Sequence, residues 1–264
     1  MKKDGTVLEF ASDELRGDKE VVLVAVSQSW RALEFASEEL HRDKEVVLHV
    51  LKDAVRHNTA NDVLHIFNGS LSENLRADKE VVGFAVGWAG KALEFSSNDL
   101  RGDMTMVYSA VRQDPEAFQY ASKELRGDKV KVMTLMRFHS HASGVILKYV
   151  SEELRRDKNV GRRALLDTVS CRSSSAEDVL QMFNSSFSEN LRADKKMVLH
   201  VVKRVGKALE FASDNLRGNK KVVMTAVQVD GAALQYTGEK LRGDKELVTA
   251  AVRKSGKALE YALN

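Results

Sequence analysis

The chain has 264 residues, of which 43% are hydrophobic and 30% are charged, and its 41 basic and 38 acidic residues leave a net charge of +3. This composition is ordinary for a folded protein and excludes a disordered chain, which would carry fewer aliphatic residues and more net charge. The near balance of charge also weakens a nucleic-acid role. The single cysteine, Cys171, excludes an intrachain disulfide framework and fits a reducing compartment.

The motif Leu-x-x-Asp recurs through the chain and defines an internal repeat. Most copies are 25 residues apart, with longer steps of 35, 29 and 37 residues, and one copy carries Asn in place of Asp. The copies lie at Leu15–Asp18, Leu40–Asp43, Leu75–Asp78, Leu100–Asp103, Leu125–Asp128, Leu154–Asp157, Leu191–Asp194, Leu216–Asn219 and Leu241–Asp244.

The first predicted helix of each repeat lies ahead of the motif Leu and carries Ala-Leu-Glu-Phe or a variant of it. Counted back from that Leu, the residues eight, seven and four positions earlier are mostly apolar, which is a helical stripe. A Ser three positions before the Leu precedes acidic residues in most copies and predicts the N-cap of a short extra turn. Copies of this first helix include Ala32–Ala36, Ala92–Ser96, Ala208–Ala212 and Ala258–Ala262.

The second predicted helix begins after the motif Asp. Its β-branched runs, such as 21–26, also fit a strand on composition alone. Across the copies, however, the fourth, seventh and eighth residues after Asp are apolar while the fifth and sixth vary, which is one face of a helix. The motif residue is then the N-cap, whose side chain accepts hydrogen bonds from free backbone amides. The predicted caps are Asp18, Asp43, Asp78, Asp103, Asp128, Asp157, Asp194, Asn219 and Asp244.

Related inserts, near 57–70 and 171–186, lie in the two longest steps of the repeat. A shift of 116 residues aligns 60–110 with 176–226, with 29 of the 51 positions identical, so a block of four repeats has been duplicated. Short helices that depend on their neighbours for burial predict an all-α fold, an α-solenoid of about nine two-helix repeats. We expect one elongated repeat domain, 1–264, with a bend near 159–166, where Gly161 interrupts the apolar stripe.

The recurring pattern Ala-Leu-Glu-Phe-Ala-Ser-Glu-Glu-Leu-x-x-Asp-Lys-Glu-Val-Val, at 32–47, resembles the repeat family called domain of unknown function 4116. The resemblance covers nearly the whole chain and implies a tandem helical array. It implies no activity, cofactor or catalytic residue, because the family has no assigned chemistry.

An arginine follows the motif Leu in nearly every repeat, and equivalent residues of a solenoid line up. The row is therefore a candidate binding ladder for an acidic or phosphate-bearing partner. The alternative pairs it with acids of adjacent helices, such as Glu34, Glu94 and Glu210, as solvated ion pairs of little energetic value. The ladder consists of Arg16, Arg76, Arg101, Arg126, Arg155, Arg192, Arg217 and Arg242.

Histidines recur eight residues apart at His41, His49, His57 and His65, but Gln181 replaces His65 in the duplicated block. An essential metal ligand would be kept in both copies, so we expect no metal site. We also expect no catalytic residue and no cofactor, because regular repeats rarely provide a convergent polar pocket.

These features favour a non-enzymatic protein–protein interaction scaffold or adaptor that is a subunit of a larger assembly. RNA binding in the manner of helical-repeat readers is the alternative. The array starts at Thr6 and stops at Tyr261 without polar capping helices, which predicts end-to-end self-association, docking onto another protein, or a longer array. No apolar run predicts a membrane span. Cytoplasm is the default location, and an organelle remains open if a transit peptide has been removed.

Overall fold

The computed structural model describes residues 5–56, 60–69, 71–171, 174–185 and 187–263. Within these ranges every regular element is a helix and no strand is present. The prediction of an all-α fold is confirmed. None of the helices in the described ranges is both long enough and apolar enough to cross a membrane.

Each sequence repeat folds as three helical segments, which we call the lead helix, the short helix and the long helix. In one repeat these are the 3₁₀ helix Gly206–Phe211, the α-helix Asp214–Arg217 and the α-helix Lys220–Val229. The sequence predicted an α-type stripe for the lead, but most leads are six-residue 3₁₀ helices. Extended backbone at Ala212 and Ser213, with ψ of 154° and 155°, ends the lead after two 3₁₀ turns.

The lead helices differ in type along the chain. The 3₁₀ leads are Gly5–Phe10, Trp30–Phe35, Gly90–Phe95, Pro115–Tyr120, Gly206–Phe211, Gly231–Tyr236 and Gly256–Tyr261. The leads that contain α-helix are Ala60–Gly69, Ser143–Tyr149 after the single turn Ser140–Ala142, and Ala176–Ser185.

In each repeat the lead is followed along the chain by a short helix and then by a long helix. The short helices are Asp13–Gly17, Glu38–His41, Glu73–Arg76, Asn98–Gly102, Lys123–Gly127, Glu152–Arg156, Glu189–Arg192, Asp214–Arg217 and Glu239–Arg242. The long helices are Lys19–Val26, Lys44–Arg56, Lys79–Trp88, Met104–Gln113, Lys129–Phe138, Lys158–Ser170, Lys195–Val202, Lys220–Val229 and Lys245–Lys254.

The core lies on the predicted apolar face of the long helices. Val47, Val50 and Leu51, the fourth, seventh and eighth residues after a motif Asp, are completely buried. The same three positions are completely buried at Val82, Ala85 and Val86, at Val107, Ala110 and Val111, and at Val223, Ala226 and Val227. A ten-residue helix is marginal alone, so this shared burial is what stabilises it.

The chain divides into two compact units, Met1–Leu125 and Arg126–Asn264. Inside each unit, every long helix packs on the next long helix along the chain. Lead helices pack on lead helices in the same way, as Gly90–Phe95 does on Pro115–Tyr120 and Gly231–Tyr236 does on Gly256–Tyr261. Each unit is therefore layered repeat upon repeat, while the single domain 1–264 stays a prediction.

The inserts replace a six-residue 3₁₀ lead with a ten-residue α-helix, Ala60–Gly69 in one block and Ala176–Ser185 in the other. The long helix before each is extended to 13 residues. The remaining insert positions 57–59, 70, 172–173 and 186 lie outside the described residues.

Gly161 interrupts the apolar stripe without ending its helix, because Lys158–Ser170 runs continuously through it. A Cβ there would lie 2.5 Å from Leu191 Cδ1, so the glycine makes room for the motif Leu of the next repeat. The bend expected near 159–166 stays a prediction.

Candidate functional site

The motif Asp or Asn lies at the start of each long helix and bonds to its free backbone amides. Asp78 has extended backbone and accepts hydrogen bonds from the N–H groups of Glu80 at 2.9 Å and Val81 at 3.1 Å. This is the geometry of an N-cap, which satisfies amides that the helix itself cannot. Equivalent bonds are made by Asp18, Asp43, Asp103, Asp128, Asp157, Asp194, Asn219 and Asp244.

Within the described residues, six of the lysines that follow a cap link one repeat to the next, a contact that the sequence reasoning missed. Lys44 Nζ lies 2.9 Å from the Asp78 carboxylate, the cap of the following repeat, and 2.9 Å from Glu80. The available signal was a Lys directly after the motif Asp or Asn in eight of the nine copies, with Met104 in the other. The same pairing joins Lys19 to Asp43, Lys79 to Asp103, Lys129 to Asp157, Lys158 to Asp194, and Lys220 to Asp244.

These ion pairs shift the pKa values of both partners. Burial by itself would raise the pKa of Asp103, but hydrogen bonds from Lys79, Thr105 and backbone amides outweigh it and hold the pKa below its ordinary value. The hydrogen bond from Lys158 lowers the pKa of Asp194 in the same direction, against its burial. Hydrogen bonds to Asp43 and Glu45 raise the pKa of Lys19. The pairs are therefore ionised at neutral pH, and each is a partly exposed interaction of modest energy.

A backbone hydrogen bond joins the same repeats a second time. The N–H of Ser97, three residues before a motif Leu, donates to the carbonyl oxygen of Arg76 in the preceding repeat at 3.0 Å. Because the donor lies just ahead of one short helix and the acceptor lies in the short helix before it, the bond fixes their register. Equivalent bonds run from Ser37 to Arg16, Ser122 to Arg101, Ser151 to Arg126, Ser213 to Arg192, Gly238 to Arg217 and Leu263 to Arg242.

Glycine at the first residue of several lead helices permits a third close contact. A Cβ on Gly90 would lie 2.5 Å from the carbonyl oxygen of Ala110, and one on Gly206 would lie 2.5 Å from that of Ala226. These two leads thus pack directly against the backbone of the long helix that follows each of them in sequence. A side chain larger than hydrogen does not fit there.

The arginines of the candidate ladder are half-buried and bond locally. Arg126 donates to the Tyr149 carbonyl oxygen at 3.2 Å and Arg155 to that of Lys148 at 3.0 Å. Arg16, Arg76 and Arg192 bond in the same way to carbonyl oxygens at the end of a lead helix. Basic donors at these carbonyls satisfy helix ends and oppose the helix dipole.

The other arginines of the row bond within their own short helix, Arg101 to Asn98, Arg217 to Asp214 and Arg242 to Glu239. These partners differ from the suggested Glu34, Glu94 and Glu210.

Burial, together with the neighbouring Glu210 carboxylate, raises the pKa of Tyr236, so Glu210 faces that hydroxyl on the next lead.

The arginine row keeps donors that these bonds do not use. A guanidinium carries five N–H donors, and the bonds above use only part of them. The structure thus places the arginines at equivalent positions in the repeats of each unit. Each guanidinium is held by a local contact, and its other donors are left for an acidic group. Whether a partner uses them stays a prediction.

The described histidines of the evenly spaced series do not converge. His41 Nε2 contacts the Leu33 carbonyl oxygen at 2.5 Å, His49 contacts Ser27 Oγ at 2.7 Å, and the His65 ring lies 5.4 Å from that of Trp30. His57 lies outside the described residues. Among the described residues no group of three or more His, Cys, Asp or Glu side chains could hold a metal ion.

The model of the family described as domain of unknown function (DUF4116) matches residues 1–42, 103–155 and 219–264, together more than half of the chain. The chain belongs to this family. The segments of the chain that the family model leaves unmatched between its matched ranges, 43–102 and 156–218, contain the two inserts. A search of curated proteins finds no match, and neither does a search of solved structures.

Proposed function

We propose that this member of the domain of unknown function 4116 family is an α-solenoid of about nine repeats, with a basic period of 25 residues and a four-repeat block duplicated at 116. Two junction contacts that recur with the repeat support it, the Lys–Asp pair and the backbone bond to the motif Arg. The glycine contact inside a repeat recurs as well. We propose further that the two units form one elongated repeat domain.

The function we propose is that of a non-enzymatic scaffold or adaptor that holds other proteins and is itself a subunit of a larger assembly. The observation that carries the proposal is that the recurring polar groups of each repeat bond within the array. The caps and lysines hold repeat to repeat, and most of the tethered arginines join a short helix to the lead of its own repeat. This leaves an extended outer surface whose residues vary from copy to copy. Surfaces of this kind are what solenoids use for binding.

Exposed apolar side chains support an extension of the proposal to end-to-end self-association. Phe10 is 83% exposed, while its counterparts Phe35 and Phe95 are half-buried. Leu259 is 61% exposed, whereas the equivalent Leu93 is completely buried. Large exposed apolar side chains of this kind mark interaction surfaces. Light scattering over a hundredfold concentration range tests it, since a mass of 29.4 kDa at every concentration would refute self-association.

The test of the scaffold is purification of the tagged chain from its natural source with and without nuclease, followed by quantitative mass spectrometry. The proposal expects a partner protein in fixed stoichiometry that survives nuclease, and reciprocal tagging of the partner should recover this chain. Loss of every partner on nuclease treatment, with RNA recovered beforehand, would replace the scaffold by the RNA-binding alternative.

A further inference from the structure

Two clefts open between short helices, and they lie at equivalent positions in the two duplicated blocks. In the first unit a cleft of about 720 Å³ lies between Glu38–His41 and Glu73–Arg76. In the second unit a cleft of about 610 Å³ lies between Glu152–Arg156 and Glu189–Arg192. Each therefore lies at the repeat junction that contains an insert.

The inserts explain why these junctions are open. A six-residue 3₁₀ helix rises about 12 Å, while the ten-residue α-helix that replaces it rises about 15 Å. The preceding long helix is also extended, so the short helices on either side are spaced differently. Among the described residues, no backbone bond joins Ser72 to His41 or Ser188 to Arg155, although the equivalent bond closes the other junctions described above.

One wall of each cleft has the same chemistry in both units. It is formed by Ser72, Glu73 and Asn74 in the first and by Ser188, Glu189 and Asn190 in the second. These residues open a run of eight that is identical in the two blocks, 72–79 and 188–195. The Glu and the Asn are exposed in both units, so packing does not account for their identity.

The opposite wall carries an ion pair in both clefts. Arg42 lies 3.5 Å from Glu38 in the first unit, and Arg156 pairs with Glu152 in the second. Those arginines are therefore already neutralised. In the described part of the chain, Glu73 and Glu189 take part in no ion pair, so each cleft keeps a carboxylate that can accept a cationic side chain. Glu34 also lines the first cleft, and Arg155, which donates to the Lys148 carbonyl oxygen, also lines the second.

We propose that the two clefts are equivalent subsites, one in each duplicated block, that each bind an extended peptide segment with a Lys or Arg side chain. The inference rests on the proposed scaffold function and names its ligand class. An Asn side chain can bond at once to a backbone N–H and a backbone C=O of such a peptide. The open backbone N–H of the Ser and the Glu carboxylate supply the remaining contacts.

The test begins with selection of random twelve-residue peptides displayed on phage against the immobilised full chain. A selected peptide is then synthesised and titrated by calorimetry into the chain. The inference expects peptides enriched in Lys or Arg that bind with two sites per chain. Glu73→Gln with Asn74→Ala should leave one site, and adding Glu189→Gln with Asn190→Ala should weaken binding at least tenfold.

The matched control is Asn98→Ala with Asp99→Asn, which changes the same two positions at a junction without an insert and should leave both sites intact. The isosteric pair Glu73→Gln and Glu189→Gln gives a second variant in case the fourfold variant fails to fold. Selection of acidic peptides, failure to select any peptide, or unchanged binding to the folded fourfold variant would overturn the inference. If the folded fourfold variant binds the peptide as the parent does and still recovers the partner protein from the natural source, the scaffold function stands and only the cleft proposal is refuted.

Discussion

Replacement of Gly90 by Ala should destabilise the protein, whereas replacement of Gly87 by Ala should not. The new Cβ at position 90 would lie 2.5 Å from the Ala110 carbonyl oxygen and 3.1 Å from both Asp114 Cβ and Gln113 Oε1. Real Cβ atoms keep at least 3.0 Å from such neighbours, so the lead helix and the long helix must separate by about half an ångström. Overpacking of this kind costs about 1–3 kcal/mol.

Gly87→Ala is the matched control. Gly87 is exposed within the long helix Lys79–Trp88, and a Cβ there would meet nothing within 4 Å. Alanine in a helix interior is favoured over glycine by about 0.5–1 kcal/mol, so this variant should be slightly more stable than the parent. The two variants should differ by about 1.5–4 kcal/mol in the free energy of unfolding.

The assay is urea denaturation followed by circular dichroism at 222 nm, with both variants and the parent measured together. Gly231→Ala and Gly256→Ala repeat the comparison in the second unit, because a Cβ clashes with the Ala251 carbonyl at the first position and meets nothing within 4 Å at the second. A Gly90→Ala protein as stable as the Gly87→Ala protein would refute the close contact between lead and long helix.

Three further predictions follow from the junctions. Asn219→Asp should give Lys195 the acidic partner that the equivalent lysines have. A double-mutant cycle with Lys195→Met should show that the new pair stabilises the folded protein by about 0.2–1 kcal/mol. A coupling energy of zero would contradict the pairing. Arg126→Ala should destabilise by about 1 kcal/mol in urea denaturation, because it removes the bond to Tyr149, whereas Arg217→Ala should change stability by less than about 0.5 kcal/mol; equal losses would refute this division of the row. The pKa values of Asp43, Asp78, Asp103, Asp157, Asp194 and Asp244 are lowered from 3.8, so stability should hold at neutral pH and fall as the pH drops below about 4 and through these lowered values. The raised pKa values of Lys19, Lys44 and Lys220 predict a second fall as the pH rises above 10.5, and thermal unfolding across this range without either loss would contradict the ion pairs.

The long helices were the part of the fold most accessible from the sequence. Their apolar positions recur over two or more turns, so a stripe such as Val47, Val50 and Leu51 separates a helix from a strand. The lead helices were less accessible, because over six residues a period of three and a period of 3.6 place the apolar side chains almost identically. The extended Ser that separates lead from short helix was recognised as a cap, and its hydroxyl accepts the expected bond at Ser12, Ser97, Ser122 and Ser151. At Ser37, Ser72, Ser188 and Ser213 it makes no such bond, and the 3₁₀ geometry was not recognised.

The candidate site was predictable only in its residue types. The arginine row was visible from the motif, but a guanidinium that bonds to the Tyr149 carbonyl cannot be told from one that faces solvent without knowing which lead lies beside it. The Lys–Asp pairs depend in the same way on which repeat follows in space. The clefts depend on the spacing between short helices, which the lengths of the inserts do not determine on their own.

The measurement that tests the repeating junction most directly is amide hydrogen exchange at single residues by NMR. The amides of Ser97, Ser122 and Ser213 lie between helices, and only the bond to the preceding repeat protects them. We predict that they exchange far more slowly than unstructured amides, while those of Ser72 and Ser188, at the open clefts, exchange faster than the three. Exchange of all five at the rate of an unstructured chain would contradict the repeating junction.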